Sequence, residues 1–586
     1  MSRYILPATT GVFLLLFFLW LPPLNLTPID LPDEEDNRKG SSTSIHRIDA
    51  LVMGCITLLF GFVDFYGLGN RTSVETFLPI REEAIIFTLP EEETVSSIVM
   101  FTGVGYGTYS FEANLQGDSY VPVASFTQNA GDVLRWTVVR PAAEFRTDSI
   151  LLTGTGRGWL GEVAFFSLDG RQIPFSCSAP ELGDEQSLVT TRYSYLNSTY
   201  FDEIYHARTA WEHLNNVYPY EISHPPLGKL ILSLGILLFG MTPFGWRFSG
   251  TLVGVMMLPV LYVLIKKLFG STRVAACATL VFATDFLHFT QTRIATIDTY
   301  AVFFILLMYL FMAQFLSSGN WKKLALSGLF FGLGAACKWT CLYAGAGLAV
   351  LWGGYWIIHR RKGIAAFTRS VLCCLLFFVL IPSAIYYVSY LPYAKASGIN
   401  GIFNMPYLNL VLSNQQYMFS YHSMLVAEHP YSSVWYQWML DIRPILYYME
   451  DLGNGMRSSF AAFVNPLLCW GGLLALAVLM FQAVYWWDWK AAFLLVGYFA
   501  QLIPWMFISR LTFAYHYFAC SVFLVLAIAY VFKLMENGTP HYRACIYSFT
   551  ALSVILFVLF FPAISGAPVR SSLASQLLHW LPSWPI

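Results

Sequence analysis

The chain has 586 residues, 56% of them hydrophobic, 17% aromatic and only 12% charged, with a mean hydropathy of +0.55. That balance excludes a water-soluble globule and indicates a polytopic membrane protein. A net charge of −1 supplies no basic face to neutralise phosphates, so no nucleic-acid partner is expected. Of the ten cysteines, only Cys177 lies in a polar stretch, and no CxxC pair occurs. They read as core or lipid-facing residues, not as a disulfide framework or a metal site.

In chain order, an apolar run from about Ile5 to Leu24 predicts a retained helix, because no small-residue cleavage site follows it. Thr27 to His46 reads as a loop, and Asp49 to Leu68 as a second helix. From about Thr72 to Cys177 the character changes. Short alternating stretches such as SSIVMFTGVG, LRWTVVRP and LGEVAFFSLDG are separated by Gly, Asn and Asp turns, which predicts an inserted all-β sandwich. Its last strands resemble discoidin-like jelly rolls of carbohydrate-binding modules. Next comes YFDEIYHARTAWEHLNNVYPYEISHPPLGKL, Tyr200 to Leu230, a polar segment directly before a long series of hydrophobic helices. Charge concentrated beside a membrane points to function.

The run Leu227 to Met241 is too short to span and reads as a juxtamembrane helix. Further spans fall near Trp246 to Ile265, Val274 to Phe289, Thr299 to Leu316, Leu324 to Lys338, Thr340 to Ile358, Val371 to Tyr390, Phe460 to Trp486, Ala491 to Ser509, Leu511 to Phe532 and Tyr547 to Ile564, for a total of about twelve. Alternating them places Lys266, Lys267, Lys322, Lys323, Arg360 to Lys362, Lys490, Lys533 and Arg543 on one side, which the positive-inside rule makes cytoplasmic. The β insert and Asp202 fall on the other side, together with Arg247, Arg293, Asp298, the segment His429 to Tyr448, Arg510 and His516. The domain reading is an extra helix (1–26), a first core helix (49–68), the β insert (72–180), a catalytic loop with juxtamembrane helices (195–245), helices (246–391), an outer loop (392–459), helices (460–565) and a tail (566–586).

FDE followed by HPPLGK, then WRFSG, TRIATID, ACKWT, HPYSSVWYQW with RPILYY, and TFAYHYF together resemble the protein O-mannosyltransferase family, glycosyltransferase family 39 of the GT-C membrane fold. The resemblance covers roughly residues 49–70 and 195–565 and suggests a bacterial-type member. It implies inverting transfer of a monosaccharide, mannose first, from a polyprenyl-phosphate donor to a hydroxyl, first of all Ser or Thr of secreted proteins, at the outer face of the plasma membrane. Asp202 is then the catalytic base and Glu203 its neighbour, because a hydroxyl attacks well only when a carboxylate takes its proton. Arg247, Arg293 and Arg510 are the expected donors to the leaving phosphate.

Other residues keep two readings. His206 either holds Asp202 or packs, and His224 either positions its loop or contacts substrate. Lys229 and Lys338 either bind substrate or snorkel. Asp298, His429 and His516 complete the supporting set. Asp285 and His288 near an outer end are equally open. No metal spacing is present, although the Asp-Glu pair leaves room for a divalent cation, and no cofactor beyond the donor is implied. A homo- or hetero-dimer is open by family analogy. Three departures stand out: residues 392–459 are too short for the β-trefoil of eukaryotic members, the β insert and first helix are extra, and Glu221 is separated from HPP by Ile222 and Ser223. A lipid or glycan acceptor keeps the same chemistry. A lipid flippase would require charges at mid-span and repeated halves.

Overall fold

The structure, a computed structural model, describes residues 4–21, 43–80, 83–115, 119–538 and 540–586. Most of the loop expected over Thr27 to His46 lies outside them. The chain forms two compact units: Met1–Tyr66, Glu221–Leu230 and Gly250–Ile586 make the first, and Gly67–Tyr220 with Ile231–Ser249 the second.

The first unit opens with α1 (Ile5–Leu19) and α2 (Arg47–Phe65). The second supplies β1 (Leu78–Pro79), β2 (Ile85–Thr102), β3 (Gly107–Asn114), β4 (Tyr120–Gln128), β5 (Arg135–Val139), β6 (Phe145–Gly156), β7 (Trp159–Ser167), β8 (Gln172–Ile173), β9 (Ser176–Cys177) and α3 (Glu203–Leu214). The unit boundaries then fall inside α4 (Leu227–Phe239) and α5 (Pro243–Phe269). The first unit continues with α6 (Thr272–Ala283), α7 (Phe286–Thr292), α8 (Asp298–Ser318), α9 (Trp321–Cys337), α10 (Thr340–Ile358), α11 (Ile364–Leu375), α12 (Ile381–Val388), α13 (Leu391–Ala396), α14 (Met405–Met424) and α15 (Trp435–Met439). It closes with β10 (Ile445–Gly453), β11 (Met456–Ala462), α16 (Pro466–Tyr485), α17 (Trp489–Leu502), α18 (Phe518–Gly538), α19 (Tyr542–Ser565), β12 (Val569–Arg570) and α20 (Ser571–Leu577).

Among the described residues nine helices are long and apolar enough to cross a membrane, or ten if α6 and α7, bent by 59°, form one broken span. The difference from the twelve read from hydropathy lies in short or interrupted helices. α1 has 15 residues, short of the roughly 20 that a bilayer requires, and α9 with 17 is at the lower limit. The stretch Val274 to Phe289 is not one helix, because Asp285 adopts an extended conformation and caps α7, accepting from the His288 N–H at 3.3 Å. The expected helix from Phe460 starts only at Pro466, since Met456–Ala462 pairs as β11 with β10. α4, with 13 residues, is too short to cross.

Tight connections come from capping chemistry. α8 ends at Gly319, whose left-handed φ of 64° lets its N–H reach the Phe315 carbonyl at 2.7 Å. The next residue, Asn320, caps α9 by accepting from the Lys322 N–H at 2.9 Å. α9 then lies against the long apolar stretch Ile364–Ala396, almost none of which is buried. That stretch contains a π turn at Leu376–Leu380. Gly328 and Gly332, four residues apart, permit the approach: a Cβ at Gly328 would stand 2.3 Å from the Phe377 carbonyl oxygen.

The β insert is one connected antiparallel sheet of nine strands, where two stacked sheets were expected. The connection is β2. Its first part pairs with β6, and from Val95 onward it pairs with β7, with β5 on its other edge from Ile98. Alternation along β2 sends Ile85, Phe87, Leu89, Val95, Ile98 and Met100 into one core, with Phe111, Leu152 and Phe165 from the neighbouring strands. Each such side chain contributes about 1.5–3 kcal/mol of burial.

Because the obstacle at Gly328 is backbone, Gly328→Leu is expected to destabilise the protein by about 1–3 kcal/mol. Gly54→Leu, where a Cβ meets nothing within 4 Å, is expected to stay within about 0.5 kcal/mol. Thermal unfolding of both variants in detergent checks this, and equal shifts would contradict the packing argument.

Candidate active site

The acidic pair lies at the start of α3 in the second unit. Phe201 holds a positive φ of 47°, a strained value for a bulky residue. Asp202 follows as the residue preceding the first helical turn, and its carbonyl accepts from the N–H groups of Tyr205 and His206 at 3.1 and 3.2 Å. Successive helical residues point in different directions, and here they meet opposite surroundings.

Glu203 is 0% exposed, whereas Asp202 is half-buried. Arg247 donates to both Glu203 oxygens, from Nε and Nη2, each at 2.7 Å. Trp246 Nε1 adds a bond at 3.2 Å, and the Tyr200 N–H another at 3.3 Å. The other N–H groups of Arg247 go to the carbonyls of Leu68 (2.8 Å), Tyr195 (2.6 Å) and Ser198 (3.0 Å). All five guanidinium donors are therefore engaged, with the side chain only 1% exposed. The expectation that Arg247 grips a phosphate does not match this arrangement, in which it binds Glu203. In the same unit Arg208 pairs with Glu212 at 2.7 Å, and Glu212 also accepts from the Tyr220 N–H at 2.7 Å. Burial pushes the Glu212 carboxyl above its ordinary value, with Arg208 pulling against it.

In the first unit, the segment EISHPPLGK folds around a second buried pair. Lys229 is 0% exposed and does not snorkel. Its ammonium donates to the Glu221 carboxylate, to the Glu221 carbonyl at 2.7 Å and to the His224 carbonyl at 3.1 Å. Glu221 also accepts from the Ser223 N–H at 2.8 Å and pairs with His224 Nδ1 at 3.1 Å. From α14, Asn414 donates to the Ile222 carbonyl at 3.0 Å, and His422 Nε2 to the Ser223 carbonyl at 2.8 Å. Two prolines prevent this segment from continuing as helix, and these bonds fix the shape it takes instead.

Cations gather around that loop. Lys338 pairs with Asp298 at 2.7 Å and lies 5.7 Å from the Tyr515 ring centre. Arg510 donates to the Leu511 carbonyl at 3.3 Å and has no carboxylate partner among the described residues. His224 and His422 meet edge to face at 5.1 Å. Burial first, then the charges of His224 and Arg510, hold the His422 imidazole down at about 4. Its Nδ1 takes no protein hydrogen bond. His224 is also lowered by burial, with Glu221 opposing and Lys338 and Lys229 assisting.

The remaining candidates separate from this cluster or border it. Arg293 donates to the carbonyls of Asp64 (2.7 Å) and Tyr66 (2.9 Å), and so closes the C-terminal end of α2. His516 Nδ1 accepts from the Phe513 N–H at 3.1 Å, with the ring between Trp438 and Trp505. His429 Nδ1 accepts from the Tyr431 N–H at 3.2 Å, and its ring meets Phe513 at 5.0 Å. His206 follows Asp202 by one turn and is buried. Asp285 and His288 have structural partners: Asp285 accepts from the Asn465 N–H at 2.9 Å, and the His288 ring is stacked between Phe60 and Phe282. Sequence reasoning missed His422 and gave Glu221 no role. The only signal for either was their position among aromatic and polar residues.

Residues 223–387 match the family model described as dolichyl-phosphate-mannose-protein mannosyltransferase, and residues 408–584 match that of the C-terminal four-TMM region of protein-O-mannosyltransferase. The chain belongs to the protein O-mannosyltransferase family. It is 27% identical over 455 residues to the polyprenol-phosphate-mannose–protein mannosyltransferase of Mycobacterium tuberculosis, covering 66% of this chain and 86% of that protein. It is equally identical over 463 residues to the protein of that name from Mycolicibacterium smegmatis, covering 66% and 87%. The family fold also appears in the solved S. cerevisiae Pmt1-Pmt2 complex bound to the sugar donor, with a TM-score of 0.59, 13% identity and coverage of 66% of this chain and 89% of that one. The first family match begins downstream of the acidic pair.

Arg247→Ala removes the cation that faces buried Glu203, and is expected to cost about 3–5 kcal/mol. Arg247→Lys recovers little of it, because an ammonium cannot reproduce the two-pronged fit. Thermal unfolding of the two variants checks the difference.

The His422 shift has a defined sign. Below its unfolded value near 6.5 the unfolded chain binds a proton that the folded chain refuses down to about 4. This contribution to stability is therefore full above about pH 6.5 and is lost as the pH falls from there toward about 4. His422→Gln is expected to flatten that part of the stability profile, as measured by unfolding from pH 7.5 to 4.5.

Proposed function

We propose that this family member moves mannose from a polyprenyl-phosphate mannose to Ser or Thr hydroxyls of proteins, on the side of the membrane opposite its basic helix ends. The observation that carries the assignment of the base is the contrast within the acidic pair. Glu203 is locked by Arg247 and Trp246, while half-buried Asp202 stands at the head of the helix they anchor. A general base must meet its proton donor within hydrogen-bond reach, and a fully buried Glu203 is a positioning residue instead. Arg247 acts with it.

In the reaction the acceptor oxygen bonds to the anomeric carbon as that carbon's bond to the phosphate oxygen breaks. The hydroxyl proton goes to Asp202, and the polyprenyl phosphate leaves with the electron pair. The configuration inverts, as the family resemblance implies. The charge that develops on a leaving phosphate calls for cations, and the first unit, taken by itself, offers Lys338 and Arg510 near His224 and His422. Arg510 supports that reading because its charge has no internal carboxylate partner among the described residues. The names of the mycobacterial relatives support mannose as the sugar and protein as the acceptor.

The test uses purified protein in lipid nanodiscs, radiolabelled polyprenyl-phosphate mannose and a Ser/Thr-rich peptide. Asp202→Asn is expected to lower kcat by about 10²–10⁴-fold with little change in the KM for donor. Arg510→Ala is expected to raise the donor KM. Full activity of Asp202→Asn would remove Asp202 as base, and label entering an added glycan but no peptide would replace the acceptor.

A further inference from the structure

Gly353 and Gly354 sit side by side within α10, near its basic end. Glycine in a helix interior lowers helix stability relative to alanine, so such a pair usually serves a close contact or a left-handed backbone. Neither applies. A Cβ built at either position meets nothing within 4 Å, and neither has a positive φ.

Beside Gly353 lies a cavity of about 630 Å³, lined also by Trp352, Trp356, Ile357, Arg360 and Phe367. Both indole N–H groups donate to the buried Ser370 hydroxyl, at 3.0 and 2.9 Å. With those polar atoms satisfied, the tryptophans offer ring surface to the cavity. Phe367 meets Trp352 at 5.8 Å and Trp356 at 5.6 Å, which makes a stiff aromatic wall. At the mouth stands Arg360, the first of the three basic residues Arg360, Arg361 and Lys362. Lys362 is engaged by the Tyr355 hydroxyl at 2.8 Å. Arg360 and Arg361 have no carboxylate partner among the described residues.

We propose that this groove binds an anionic phospholipid, with one acyl chain along the aromatic wall over Gly353 and the phosphate at Arg360. An apolar slot with a cationic mouth matches an amphiphile with an anionic head. A free phosphate would leave the wall unfilled, and a zwitterionic lipid would meet the arginines with no net charge. The basic helix ends mark the cytoplasmic leaflet by the positive-inside rule, and anionic lipids are concentrated there. The site is independent of the transferase reading and involves none of its residues.

The test titrates phosphatidylglycerol or phosphatidylcholine into the purified full chain in detergent and counts bound lipid by native mass spectrometry. Wild type is expected to hold one phosphatidylglycerol at concentrations where phosphatidylcholine does not bind. Arg360→Gln is expected to weaken that binding about fivefold. Gly353→Leu, which fills the slot without a clash, is expected to lose the adduct while unfolding at the wild-type temperature in lipid-free detergent. An adduct that persists in Gly353→Leu, or equal binding of the two lipids by wild type, would overturn the proposal. Should Gly353→Leu unfold early, Arg360→Glu asks the same question at the mouth, and an unchanged preference there overturns it. A competition arm with polyprenyl phosphate identifies the occupant. Its displacing phosphatidylglycerol at lower concentration would assign the groove to a polyprenyl lipid and reject the phospholipid.

Discussion

A carboxylate with no access to water must be paired, and much of the second unit around α3 follows from how Glu203 meets that demand. Arg247 reaches it across 44 positions of sequence with two parallel bonds. The same guanidinium ties down the carbonyls of Leu68, Tyr195 and Ser198. One side chain thus joins the beginning of the first stretch of this unit, the approach to α3 and the start of α5. Breaking such a pair on one side leaves an uncompensated charge, which makes the arrangement close to all-or-none. Asp202, its neighbour, inherits a fixed backbone without making those bonds itself.

The first unit applies the same rule to a loop. HPP cannot form helix, and its free carbonyls need donors. Lys229 supplies two of them and neutralises Glu221 at the same time, while α14 supplies others through Asn414 and His422. The imidazoles stay neutral because burial and nearby cations oppose a further charge. A region that refuses protons and holds Lys338 and Arg510 is suited to an anion.

The parts legible in the sequence were those governed by local pattern. Hydropathy marked the membrane class, alternation marked the β insert, and the FDE and HPPLGK strings marked the family. What was not legible depended on partners distant in sequence. An arginine at a helix end looks the same whether it faces a phosphate, a buried glutamate as Arg247 does, or the end of α2 as Arg293 does. Val274 to Phe289 was read as one straight span because hydropathy cannot see Asp285 interrupting the helix as a cap. One signal was present and passed over. Asn454 and Gly455 both take positive φ in the turn between β10 and β11, and Asn-Gly is a strong hairpin marker. It lay within a segment read as loop running into helix.

The pairing of β2 also bears on how the chain is made. Residues 87 and 88 find their partners at Cys177 and Ser176, and residues 95 to 102 pair with Ser167 to Leu160. Pairings so remote in sequence are slow to form. During synthesis from the N-terminus, β2 emerges ahead of its partners β5, β6 and β7, and its positions at Phe87 and Thr88 are completed only when β9 arrives. Until those partners follow, the apolar positions of β2 are uncovered, and unpaired strand edges are prone to aggregation. Biogenesis of this protein is therefore sensitive to pauses within the insert and to factors that shield exposed strands, even where the finished sheet is stable.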